Sequence, residues 1–96
     1  MPAYVIAYAG DVRDQAALDE YRRRNTDAVA NHRGRFLARG GAVEVLEGPW
    51  DWERCVIMEF PDADAARAWY RSGEYAPLKA MRQAASETQL ILVEGN

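Results

Sequence analysis

Ninety-six residues fit one domain, expected to span residues 1–96, and a chain this short buries only about 60–65% of the surface its unfolded form exposes. With 15 acidic against 12 basic residues and no long basic run, a nucleic-acid-binding face is not expected. The single cysteine, Cys55, rules out an intrachain disulfide, and there is no Cys/His cluster for a metal.

Ala3 to Ala9 (AYVIAYA) is a short apolar run with β-branched and aromatic members, which reads as a buried strand ended by Gly10-Asp11. Asp14 is placed to cap a helix running to about Arg33. Its apolar stripe is Leu18, Tyr21, Ala28 and Val29, with Asn25 and His32 on the same face. Gly34 is placed to stop that helix as its C′ residue. Arg35 to Leu46 reads as a strand interrupted by a bulge or bend at Gly40-Gly41. Gly48-Pro49 begins a hairpin connection. Arg54 to Phe60 is the clearest strand, ended by Pro61, and Asp62 or Asp64 can cap the next helix, about 62–71. Ser72-Gly73 marks a break, with Ser72 capping a second helical segment, about 74–85, that carries Leu78, Met81 and Ala85 on one face. Gln89 to Glu94 is the last strand.

The order β-α-β-β-α-β predicts an α+β, ferredoxin-like fold: a four-stranded antiparallel sheet with its helices on one face. The strands are apolar on both faces, as in Val56, Met58 and Phe60 against Cys55 and Ile57. A sheet with one wet face would alternate. A second copy packing on the bare face explains the pattern and completes a marginal core, so a homodimer is expected. No stretch approaches the ~20 apolar residues of a membrane span, and the N-terminus lacks the basic leader of a signal peptide. The expected compartment is the cytoplasm, with no membrane and no nucleic acid among the partners.

The strings Arg35-Phe36-Leu37, Arg39-Gly40-Gly41, Glu47-Gly48, Trp50, Glu59-Phe60-Pro61, Tyr70, Ser72-x-Glu74-Tyr75 and Val93-Glu94-Gly95 together resemble the family called domain of unknown function 1330. The resemblance runs from Tyr4 to Gly95. It implies the dimeric α/β-barrel superfamily, in which two ferredoxin-like sheets pack face to face. Cofactor-independent monooxygenases, haem-degrading enzymes and lactone isomerases are among the relatives it implies. It implies no activity of its own.

Strand parity proposes which side chains enter the barrel. Phe36, Ala38, Val43, Val45, Val56, Met58 and Phe60 suit the helix-covered core. That places Tyr4, Tyr8, Arg39, Glu44 and Glu59 on the opposite face, unless a bulge at Gly40-Gly41 inverts Glu44. An arginine and two carboxylates near tyrosines suit an anionic or phenolic ligand, or a set of interface salt bridges. His32, the sole histidine, sits at a helix C-terminus, as a general acid/base, a haem ligand or a packing residue. Trp50 and Trp52 flank Asp51 in a polar loop and suit a subunit interface or a pocket rim. Cys55, inside a strand without an adjacent cation, reads as an inert thiol. Ser72 with Tyr70 and Tyr75 reads as a capped helix break, and Arg82 as solvated. Removal of Met1 would expose the Pro2 amine, but nothing else follows a tautomerase pattern. The expected function is binding of a small organic ligand in a pocket on the inner sheet face, with or without cofactor-independent monooxygenase-like or isomerase-like chemistry. A non-catalytic sensor module and a haem protein are the alternatives; no metal or cofactor motif is present.

Overall fold

In the computed structural model, which describes Met1 to Asn96, seven elements follow one another. They are β1 (Ala3–Val12), α1 (Gln15–Asn31), β2 (Arg35–Arg39), β3 (Arg54–Phe60), α2 (Ala63–Arg71), α3 (Ala76–Ala85) and β4 (Ser86–Glu94). The antiparallel sheet has the strand order β2-β3-β1-β4, the ferredoxin-like arrangement expected. β1 lies at its centre, with Val5 opposite both Met58 and Leu92, and Ile6 opposite Ile57 and Ile91. No helix is long and apolar enough to cross a membrane.

Local chemistry accounts for the element ends. Asp14 and Asp62 each accept a hydrogen bond from the backbone N–H three residues on, at 3.1 and 2.8 Å, satisfying a donor that the first helical turn leaves free. Ser72 accepts from the Tyr75 N–H at 3.0 Å and donates to the Trp69 carbonyl at 2.8 Å, so it closes α2 and caps the turn into α3. The exit of α1 differs from expectation. The left-handed residue is Arg33, with φ of 63°, and Gly34 follows it. The Gly34 N–H bonds the Val29 carbonyl at 2.9 Å and the Arg33 N–H bonds that of Ala30 at 3.0 Å, a Schellman closure with arginine at C′. Gly34 serves a different need: a Cβ there would lie 2.6 Å from the Phe60 ring and 2.7 Å from Val29 Cγ1.

The core lies between the sheet and the helices. Val5, Met58 and Phe60 from the sheet meet Ala28 and Val29 of α1, Ala66 and Trp69 of α2, Tyr75, and Leu78 of α3. Trp69 is central, with ring centroids 4.2 Å from Tyr75 and 5.6 Å from Phe60.

Two expectations are overturned between residues 35 and 53. β2 stops at Arg39, and residues 40–53 form no strand up to β3. Val43 and Val45, expected in the core, are exposed. The glycine pair ends the strand here: Gly40 has φ of 78°, a left-handed conformation that a β-ladder does not accommodate. The second change is a register shift. Phe36 pairs with Met58 but Ala38 pairs with Ile57, leaving Leu37 as an extra residue. Ala38 therefore shares the face of Ile57, and Arg39, opposite Val56, turns to the helix side.

Candidate functional site

The two faces of the sheet carry different chemistry. On the face without helices, β1 presents Tyr4, Ile6 and Tyr8, opposite Glu59, Ile57 and Cys55 of β3 and Val93, Ile91 and Gln89 of β4. Ile91 and Val93 are exposed, as is Leu37 at the β2 bulge. Glu59 is held by Arg35, whose Nε and Nη2 both lie 2.8 Å from one carboxylate oxygen. Arg35 is largely exposed, so within one protomer the pair contributes little stability. Trp50 and Trp52 fold back onto Tyr8, one edge-on at a centroid distance of 5.5 Å and one stacked at 6.1 Å. Burial pushes the Cys55 thiol above its ordinary value, in keeping with an unreactive sulfur.

The residues expected to share this face do not all meet. Tyr4, Tyr8 and Glu59 lie on it. Glu44 is exposed in the loop after Gly41, where the strand meant to orient it does not form. His32 is the C-cap of α1, its Nδ1 2.9 Å from the Ala28 carbonyl oxygen. Arg39 is on the opposite side, for the register reason given above. It donates to Thr26 Oγ1 at 2.8 Å and to the Arg22 carbonyl, and its guanidinium lies 3.8 Å from the centroid of the Phe36 ring.

That opposite side holds a cavity of about 80 Å³ between the sheet and helices α1 and α3. Ala7, Leu18, Phe36, Val56 and Met58 supply apolar wall. Its mouth is formed by the half-exposed Arg22, Arg39 and Arg54 around Gly40, where a Cβ would meet Arg54 Cδ at 3.5 Å and Arg22 Nη2 at 3.8 Å. Burial, and then the like charge of Arg22, draw the Arg39 guanidinium below its ordinary value.

The inner end is polar and continuous. The Trp69 Nε1–H donates to Asn25 Oδ1 at 3.1 Å, and Asn25 Nδ2 donates to the Tyr21 hydroxyl at 3.4 Å. The Tyr21 and Tyr75 hydroxyls are 2.8 Å apart. Arg82 donates from Nε to the Tyr75 hydroxyl at 3.3 Å and from Nη1 to Thr88 Oγ1. Burial, together with the neighbouring Tyr75 hydroxyl, pushes the Tyr21 phenol far above its ordinary value, so it stays a neutral hydrogen-bonding group. Ser86, the first residue of β4, also lines the cavity. Four elements contribute to this end, so its geometry depends on the whole fold.

Arg82, expected to be solvated, is buried. The reason is its spacing: it lies four residues after Leu78 and three before Ala85, both buried, on the stripe that α3 turns to the core. Tyr21 and Asn25 showed the same signal, polar groups on the apolar stripe of α1. His32, the ligand that the haem reading named, does not line the cavity, and neither does Cys55.

Solved structures share this fold. A protein of unknown function from Rhodopseudomonas palustris is 22% identical, with a TM-score of 0.79, covering 99% of this chain and 82% of that one. A dimeric ferredoxin-like protein of unknown function from Jannaschia is 15% identical, with a TM-score of 0.74, covering 99% of this chain and 100% of that one. A cofactor-independent oxygenase from Streptomyces nogalater is 13% identical, with a TM-score of 0.56, covering 99% of this chain and 91% of that one. At these identities the likeness is one of fold. No curated protein matches the chain. The family model of domain of unknown function 1330 (DUF1330) matches residues 2–96, and the chain belongs to that family.

Proposed function

We propose that this protein is a homodimer in which each protomer binds a small organic ligand in the cavity between its sheet and its helices. The carrying observation is the cavity itself: apolar walls closed at one end by a hydrogen-bonded network of buried side chains from separate elements. Small-molecule sites have this composition, with few polar groups placed to orient a mostly apolar ligand. The cavity replaces the inner sheet face as the ligand site in this reading. The bare face is left to the second copy, whose packing covers Ile91, Val93 and Leu37. The dimeric description of the Jannaschia protein supports that assignment.

A second reading is cofactor-free oxygenation of the bound ligand. It is favoured by the description of the Streptomyces nogalater protein as a cofactor-independent oxygenase. No histidine, aspartate or glutamate lines the cavity, which favours binding without turnover.

The test is two-dimensional NMR of the whole protein with monocyclic aromatic and short aliphatic probes. Ligands in the cavity shift the Trp69 indole N–H and the amides of Leu18, Met58 and Thr88. If no probe moves these resonances, the ligand reading is wrong. Oxygen uptake measured with each binding probe separates the two readings.

A further inference from the structure

The cavity carries a charge opposite in sign to that of the whole chain. The net charge is −3, yet Arg22, Arg39, Arg54 and Arg82 line the cavity and no aspartate or glutamate does. The first three are half-exposed and reach water. Arg82 lies deeper, 5% exposed. The ion pairs of the protein join Arg23 to Glu20, Arg35 to Glu59 and Arg67 to Asp64, and Arg82 belongs to none. Its acceptors are two neutral hydroxyls, reached from Nε and Nη1, while Nη2 makes no hydrogen bond and is left open to the cavity. One helical turn further on, Ser86 is 2% exposed, and its Oγ is the one buried side-chain polar atom without a hydrogen-bond partner.

Two independent deficits therefore line one cavity: a cation without an anion and a hydroxyl without a partner. Buried charges are ordinarily paired and buried hydroxyls bonded. A bracing role for Arg82, holding Tyr75 against Thr88, accounts for Nε and Nη1. It leaves Nη2 and Ser86 unexplained. One planar group with a single negative charge and two acceptor oxygens answers both. The apolar remainder of the cavity requires that this group be attached to an organic body.

We propose that the cavity binds a small organic carboxylate, its oxygens taken by Arg82 and Ser86 and its apolar body lying against Leu18, Phe36 and Met58. The three arginines at the mouth attract the anion, and Arg82 retains it. The proposal rests on the ligand-cavity reading above and names the class of ligand for it.

The test compares benzoate with benzamide, a neutral molecule of the same shape, by NMR titration and calorimetry of the full chain at pH 7.5 and low salt. Benzoate is expected to bind at least tenfold more tightly than benzamide. Arg82→Gln is expected to abolish that preference. Ser86→Ala removes only an unbonded oxygen and keeps the fold; it is expected to lower the preference severalfold. Equal affinity for the two probes in the wild-type protein overturns this proposal and leaves the ligand cavity standing, as does a preference untouched by Ser86→Ala. Failure of both probes to shift the Trp69 indole and the Thr88 amide overturns the proposal together with the reading beneath it.

Discussion

The buried Tyr21 phenol ties stability to alkaline pH. In the unfolded chain this group ionises near the ordinary ~10, but in the folded protein it stays neutral far above that. Below pH 10 both states hold the proton, and the group adds no pH slope. Above pH 10 the unfolded state releases it and the folded state keeps it, so unfolding takes up hydroxide and stability falls. The slope contributed is about 1.4 kcal/mol per pH unit. For a chain of this length the unfolding entropy at the midpoint is about 0.2 kcal/mol/K, so Tm should drop by about 7 °C per unit from this one group. Tyr21→Phe isolates the effect. It removes a partner of Tyr75 and Asn25, a pH-independent loss of about 1 kcal/mol, and it removes the slope. Melting followed by circular dichroism between pH 8 and 11.5, at one protein concentration, should show the variant lower at pH 8 and the two curves converging above pH 10. Phenolate absorbance should show fewer tyrosines ionising in the folded wild type than in urea, with the difference reduced in Tyr21→Phe. Parallel melting curves, or a full complement of folded-state phenolates by pH 11, would refute the reasoning.

Three further outcomes are expected. Gly34→Ala forces a methyl group into the Phe60 ring and Val29 and should cost about 2–3 kcal/mol, measured by urea denaturation. Ile91→Asp on the bare sheet face should convert a dimer to a monomer in sedimentation velocity; a wild type that is already monomeric at micromolar concentration defeats the dimer proposal. Because burial holds the Cys55 thiol above its ordinary value, iodoacetamide at pH 8 should modify the folded protein at least tenfold more slowly than the urea-unfolded one.

Element order and sheet topology were legible because each strand and helix carried its own period and its own stop signals. Asp14, Asp62 and Ser72 make the capping bonds that their positions implied. The site was less legible. Parity counting assumes an unbroken ladder, and the unpaired Leu37 breaks it, moving Arg39 to the other side of the sheet. Glu44 was oriented by a strand that Gly40 prevents. Arg82 reads as surface if charge alone is weighed, but its helical spacing to Leu78 and Ala85 places it inside. Tyr21 and Asn25 were already on the buried stripe of α1. What the stripe alone did not show is that Trp69 and Tyr75, more than forty residues away, would complete a network with them.

The extra residue in β2 has a consequence for how such a chain can change. Substitution adjusts an arginine by degrees, but pairing Leu37 with Ile57 in a regular ladder slips every later residue by one and carries Arg39 across the sheet in a single step. Losing the bulge would thereby take a cation from the cavity mouth and add it to the surface proposed for the second subunit, with residue 39 still an arginine. In this fold, the proposed ligand cavity and the proposed subunit surface lie on opposite sides of one sheet. A register change in an edge strand is therefore a route by which one property is exchanged for the other.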